Sequence, residues 1–275
     1  SLGTQLQYLR AYADAAKLLA ELGDTANAAK YEALTTKATA ATRSAFRDPN
    51  TGTYGKTWQL NALAALTDPG SYSAIWNQIL SHVKQNTPTD QTISPYFNAY
   101  VLDAMSAANH PRQALDWLRQ YWGGMLAEGA TSFWESYDLR WPRTNPHLSL
   151  QADGTSGYFV SLAHAWSSGP AAWLSENVLG ITPATPGYRT VDIHPNLLGL
   201  AWARGAVPTP HGPIHISIDQ QGITLDLPAG IDQARIAAPP AAKIFVNDTE
   251  TKPTGGYIFL TSPGHYAVLF RNLPQ

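Results

Sequence analysis

From Leu6 to Leu22 apolar side chains recur at helical spacing (Leu6, Leu9, Ala13, Ala16, Leu19), and Gly23 follows where a helix needs a terminating residue. Asp24 or Thr25 can cap a second helix, in which Ala28, Tyr31, Leu34, Ala38 and Ala45 keep the period to Phe46. The two segments predict an antiparallel hairpin, closed by the loop Asp48-Pro49-Asn50-Thr51-Gly52. Helical patterns then return over Thr57–Leu66, Pro69–Gln85, Pro95–Asn109, Pro111–Leu126 and Gly157–Leu179, with Pro or Gly at most joints. That makes six or seven helices arranged as hairpins, separated by polar loops at Asn86–Ser94 and Arg140–Gly154. Loops of such length within a helical domain tend to carry function.

Beyond Pro183-Ala184-Thr185-Pro186-Gly187 the period changes to two. Ile214, Ile216 and Ile218 alternate with His215, Ser217 and Asp219, and Gln220-Gln221-Gly222 turns the chain into Ile223, Leu225 and Leu227, which is a β-hairpin. Further strands are predicted at Arg235–Ala238, Lys243–Val246, Tyr257–Thr261 and His265–Phe270, together a small antiparallel β-sandwich. Helices first and strands afterwards predict an α+β multidomain chain, with a helical domain over 1–186 and a sandwich over 187–275. The length of 275 residues suits one large and one small domain.

Composition narrows the chemistry. A net charge of −2 leaves no electrostatic footprint for nucleic acid or an anionic membrane surface. Charged residues are 14% of the chain, while nine Trp and thirteen Tyr supply flat surfaces of the kind that stack on sugars. The absence of cysteine excludes disulfides, thiolate nucleophiles and Cys-ligated zinc. No apolar run reaches membrane-spanning length and no secretory leader is visible, so export or a cytoplasmic location both stay open. Beginning at Ser1 in mid-pattern, the chain is expected to have lost an upstream part. His147, His194, His211 and His215 lack metal-binding spacing, the loop from Asn145 to Asp153 lacks calcium-ligand spacing, and no phosphate loop occurs, so neither metal nor cofactor is expected.

The strongest local signal is Gly129-Ala130-Thr131-Ser132-Phe133-Trp134-Glu135-Ser136-Tyr137-Asp138, a carboxylate set among rings after a helical segment and before a polar loop. Trp134 and Tyr137 can stack a pyranose while Glu135 acts on its anomeric carbon or on a water beside it. The bland alternative is a helix-end glutamate beside core aromatics. Trp58, Tyr96 and Trp166 are further candidate stacking residues. Asp138 would share a face with Glu135 if a helix continued there, close enough to hold or tune it but too close to act as its catalytic counterpart. His164 falls within an apolar helical pattern, where a histidine is more often a satisfied interior residue than a ligand.

The decapeptide resembles the G-A-T-T-x-W-E-x-x-D signature of bacterial and fungal α-L-rhamnosidases, inverting glycosidases with an (α/α)6 barrel followed by a C-terminal β-sandwich. Ser161–Pro170, Val178–Ile181 with Pro186-Gly187-Tyr188, and Ala203–Ile214 resemble, in order, the family's closing barrel helix, its crossing into the β domain and the opening of the sandwich. The resemblance covers the whole chain. It implies inverting hydrolysis of terminal α-L-rhamnosyl residues, with Glu135 as general base and His164 contacting the sugar. Ser136 stands where the family commonly has a basic residue, and Tyr137 where it commonly has Trp.

Inversion needs a second carboxyl group, about 6.5–9.5 Å away, to protonate the leaving oxygen. In the family it lies in an acidic stretch followed by Gly-Trp-x-Gly-Asp, which this sequence lacks. With about half the helices of a full toroid, the chain is expected to be the second half of the barrel plus the sandwich, its acid supplied upstream by the N-terminal half of the same enzyme or by a second chain. By itself it would then be inactive. The alternatives are a noncatalytic carbohydrate-binding or assembly fragment of such an enzyme and, behind it, an (α/α)-toroid polysaccharide lyase, which would want more basic residues near the site.

Overall fold

The structure is a computed structural model that describes residues 1–68, 70, 73–75, 77, 94–139, 149–150, 156–157 and 161–271. The helices are α1 (Leu2–Glu21), α2 (Thr25–Phe46), α3 (Trp58–Thr67), α4 (Pro95–Ala107), α5 (Pro111–Ala127) and α6 (Gly169–Asn177). Their starts follow the capping chemistry of the sequence. Asp24 accepts the Asn27 N–H at 3.1 Å, Thr57 caps α3 through the Leu60 N–H, and Ser94 caps α4 through the Phe97 N–H. Pro95 and Pro111 occupy the opening turns of α4 and α5, where a missing N–H costs nothing. α1 packs on α2 and α3, α3 on α4, and α4 on α5, the succession of neighbours that hairpins produce. Of the helical pattern predicted over Pro69–Gln85, residues 73–75 and 77 are helical and most of the rest lies outside the described residues, as do 86–93 and most of the loop from Arg140 to Gly154.

Of the helix predicted over Gly157–Leu179, only Gly169–Asn177 is α-helical among the described residues. Ser149–Leu150 (β1) pairs with Ser156–Gly157 (β2), and residues 161–164 run as non-helical chain. A short 3-10 turn follows at Ala165–Ser167, and only at Gly169, with Pro170 in the opening turn, does α6 begin. Residues 161–164 are drawn out of a helix by bonds to the segment after α5: Glu135 N–H donates to Ser161 O at 2.8 Å and His164 N–H to Phe133 O at 2.7 Å. The apolar spacing was real, but backbone pairing to a distant segment took the donors that a helix would have used.

Contacts divide the chain into two compact units, Ser1–Pro170 and Ala171–Gln275. In the second, a six-stranded sheet in the order β10-β9-β12-β7-β6-β5 faces a four-stranded one in the order β11-β8-β4-β3. The strands are β3 (Ile181–Pro183), β4 (Thr190–Ile193), β5 (Trp202–Val207), β6 (Ile214–Asp219), β7 (Gly222–Leu227), β8 (Gln233–Ala237), β9 (Lys243–Val246), β10 (Thr249–Glu250), β11 (Tyr257–Leu260) and β12 (Gly264–Arg271). All pairs are antiparallel except β4 with β8, where Asp192 lies beside Arg235 and takes both its Nε–H and an Nη2–H at 2.5 and 2.6 Å. Strict alternation turns Ile214, Ile216, Ile218, Ile223, Leu225, Leu227 and Val268 inward, onto Val191, Ile193, Ala234, Ile236, Ile258 and Leu260 of the other sheet. Each such Val, Leu or Ile side chain, fully buried, contributes about 1.5–3 kcal/mol.

Candidate functional site

The segment carrying Glu135 is fixed from below by a run of buried rings. Trp58 packs on Trp117 (5.4 Å between centroids), Trp117 on Tyr121 (5.8 Å), Tyr121 on Tyr137 (5.3 Å) and Tyr137 on Trp134 (6.4 Å). The run links α3 and α5 to residues 134–137. Two of its polar groups tie it to the surrounding chain: Trp117 Nε1–H donates to Asn98 Oδ1 at 2.8 Å, and the Tyr121 hydroxyl donates to the Tyr137 carbonyl at 2.7 Å. Burial pushes the Tyr121 hydroxyl far above its ordinary pKa, with the nearby Asp138 carboxylate adding to it.

Trp58, Trp134 and Tyr137 are therefore core residues in this structure, 5%, 7% and 5% exposed. Trp58 packs on Trp117, and Tyr137 on Tyr121 and Trp134, so burial in the core takes the place of the expected flat surfaces presented to a sugar. Nor does a helix continue through Asp138, since residues 131–138 are non-helical, so the shared-face argument for Glu135 and Asp138 falls away. What Asp138 faces is the neighbourhood of Tyr121.

Glu135 points the other way. Its side chain is 46% exposed, and one oxygen, Oε2, accepts the Ser161 N–H at 3.0 Å. Because Ser161 also accepts the Glu135 N–H, the two residues clasp each other through main chain and side chain together. The Ser132 hydroxyl adds a third tie, to the Leu162 carbonyl. This clasp brings His164 to Glu135, with Nδ1 at 3.9 Å from Oε2. Among the described residues Oε1 has no hydrogen-bond partner, and neither has the buried Nε2 of His164.

Beside them the chain offers open aromatic surface. Trp166 is 65% exposed, its ring 5.0 Å from that of His164 and 5.8 Å from that of Tyr96. The Tyr96 and Tyr100 hydroxyls lie 2.9 Å apart, a bond that, with burial, raises the Tyr96 pKa. The Arg10 guanidinium sits 5.1 Å over the Tyr100 ring, and its buried Nη1 has no partner among the described residues. Of the residues predicted from sequence, the structure thus gathers Glu135, His164, Trp166 and Tyr96 into one neighbourhood. Arg10 and Tyr100 were missed: Arg10 sits within a regular helix nearly a hundred residues before its partner, and nothing local marks it. Among the described residues no group of three or more His, Asp and Glu is gathered as a metal site.

This arrangement can hold a proton acceptor beside a sugar-sized flat surface. One carboxylate oxygen is anchored, the other is free toward water, and an imidazole and an exposed indole flank it.

Comparison with known proteins agrees in order and extent. The profile of the bacterial alpha-L-rhamnosidase 6 hairpin glycosidase domain matches residues 4–178, and that of the bacterial alpha-L-rhamnosidase C-terminal domain matches 180–231. An alpha-L-rhamnosidase of Alteromonas sp. (strain LOR) is 28% identical over 134 residues, which are 48% of this chain and 14% of that protein. The crystal structure of the Streptomyces avermitilis alpha-L-rhamnosidase complexed with L-rhamnose superposes with a TM-score of 0.74 at 20% identity, covering 96% of this chain and 26% of that one. That of the Dictyoglumus thermophilum enzyme gives 0.75 at 16%, covering 96% and 31%. The chain thus spans less than a third of the length of each of these relatives. With more than half its residues matched by the six-hairpin glycosidase domain and the first part of the sandwich, 180–231, matched by the domain that follows it, the chain belongs to the bacterial α-L-rhamnosidase family.

Proposed function

We propose that this chain carries the general-base half of an inverting glycoside hydrolase that releases terminal α-L-rhamnosyl residues. The observation that supports it is the disposition of Glu135: held at Oε2 by the Ser161 N–H, open at Oε1, and set beside His164 and the exposed Trp166. A water at Oε1 would be deprotonated as its oxygen attacks the anomeric carbon from the face opposite the leaving group, while a second carboxylic acid protonates the departing glycosidic oxygen. That acid comes, in this proposal, from a part of the parent enzyme not included in these 275 residues. His164 contacts the sugar with the partly exposed part of its ring beside Glu135. Trp166 and Tyr96 stack on the ring. Trp134, Tyr137 and Trp58 support the segment from within, and Asp138 helps hold it.

The test is rhamnose release from an aryl α-L-rhamnoside by the parent enzyme with and without Glu135→Gln. The substitution keeps the hydrogen bond from Ser161 but removes the base, so kcat is expected to fall about 10²–10⁴-fold. Equal turnover by the two forms sinks the assignment. His164→Ala is expected to raise KM more than it lowers kcat, as loss of a binding contact does.

A further inference from the structure

On the outer face of the six-stranded sheet, register and side-chain size together shape a trough. Strand pairing aligns Ala206, His215, Asp226 and His265 in one row across β5, β6, β7 and β12. The next row is Arg204, Ser217, Thr224 and Ala267. Beyond it lie Trp202 and Asp219, with Leu269 and Phe245 further along. Apart from the terminal Arg204 the middle row is short, so its small side chains form a floor, bounded on one side by His215, Asp226 and His265 and on the other by Trp202 and Asp219, with Gly222 leaving that second side open at β7. Four strands span about 14 Å. A cavity of about 390 Å³ lies here, lined by Arg204, His215, Ser217, Thr224 and Asp226 among others. That is within the size range of small-ligand sites.

We infer that this trough is a second carbohydrate-binding site, separate from the Glu135 neighbourhood, for a neutral oligosaccharide. Its chemistry is that of hydroxyl recognition. Asp226, with its carboxylate 55% exposed, is oriented by the His265 Nδ1–H at 2.6 Å and keeps acceptor capacity for sugar hydroxyls. Ser217 and Thr224 give and accept along the floor, while His215 and Arg204 donate. Trp202, 59% exposed on the edge strand, offers a ring for stacking, with the Arg204 guanidinium 5.6 Å from its centroid. Arg204 and Asp226 oppose each other in sign, which suits a neutral ligand over a polyanion. A merely solvated sheet face is usually dressed in Lys and Glu, and across β5, β6, β7 and β12 the row from Ala206 to His265 and the row from Arg204 to Ala267 hold neither. The charges along the wall also argue against a face made for burial under another domain, because such interface cores are depleted in charge.

The inference does not depend on Glu135 being a base; the proposed activity only selects rhamnose as the first sugar to try. The chain is titrated with methyl α-L-rhamnoside and with a neutral rhamno-oligosaccharide, by calorimetry and by imidazole NMR shifts of His215 and His265. Saturable shifts at both histidines are expected with the oligosaccharide. Trp202→Ala and the nearly isosteric Asp226→Asn are each expected to weaken that binding about tenfold or more, with unchanged thermal midpoints. Glu135→Gln and His164→Ala are expected to leave it unaltered. Silent histidines at saturation, or binding that Trp202→Ala and Asp226→Asn leave equally tight, overturns the site. Binding lost only in His164→Ala overturns it too while supporting a sugar contact in the helical unit. The same titration of the parent enzyme is expected to give the same shifts, and their absence there would mean that another part of that enzyme covers the trough, which also overturns the proposal.

Discussion

At the end of α3 a buried carboxylate shows how individual side chains govern stability here. Asp68 is 3% exposed at its side chain, is paired with Arg43, and accepts the Tyr54 hydroxyl at 2.6 Å. Burial, followed by the adjacent carboxylate, pushes Tyr54 up to about 12. A raised folded-state pKa means that the neutral phenol is favoured in the native protein. Its contribution is complete below the ordinary tyrosine value of about 10 and is lost as pH climbs to the folded value of about 12. Tyr54→Phe is therefore expected to cost about 1–3 kcal/mol at neutral pH, by leaving a buried carboxylate lone pair without its donor. It is also expected to flatten the decline of stability over that alkaline interval. Denaturant melts of both proteins at neutral and alkaline pH measure both effects; an unchanged alkaline slope would contradict the assigned role. Glu135 stands out at this scale because residue type and ring-rich context mark it in the sequence, and the structure adds its exposure and its nearness to His164. The burial of Trp134 and Tyr137 was not legible there, because their direction depends on contacts with α5, chiefly Tyr121, that no local pattern encodes.

Among the elements, most helices end within a few residues of where spacing and caps put them, because Asp24, Thr57, Ser94, Pro95 and Pro111 announce their starts in the local sequence. The segment from 161 to 164 escaped for the opposite reason: its partner is Phe133 to Glu135, and long-range pairing leaves no local mark. β3, β4 and β5 were missed by the alternation pattern alone, being short or, in β5, interrupted by Gly205, and β4 pairs in parallel with the distant β8. Two glycines between α6 and β4 separate strain from crowding. Gly180 has φ +72°, and a Cβ there would fall 2.1 Å from the His194 carbonyl oxygen, whereas Gly187 has φ +70° with nothing within 4 Å. Gly187→Ala is expected to cost about 1–2 kcal/mol, the left-handed conformation alone. Gly180→Ala adds a backbone collision and is expected to cost more than about 3 kcal/mol. Thermal midpoints that fall equally in the two variants would refute the distinction.

At the scale of the molecule, helices that end and strands that begin near residue 180 give two compact units, each with apolar residues buried within it. The order of helices before strands was readable because the hydrophobic period switches from helical to two, and period is a property that survives without knowledge of partners. The arrangement of strands into sheets was not, since it depends on which β-strand finds which across long separations. The core of the sandwich is supplied by residues from β3 to β12 with α6 leading in, and Ile236 sits at 0% exposure in the middle of its four-stranded sheet. Ile236→Ala removes methyl groups from a site walled by both sheets, which can collapse only partly, so a loss of about 2–5 kcal/mol is expected. If each unit is stabilised by its own core, that loss belongs to one unit. Hydrogen exchange followed by mass spectrometry should then show faster exchange across β4 to β12 and unchanged protection in α1 to α5. The converse change, Leu63→Ala in α3, where the side chain is 1% exposed, should loosen the helices and spare the strands. Equal loss of protection in both units from either substitution would mean that the chain unfolds as a single cooperative body, and the two-core description would have to be given up.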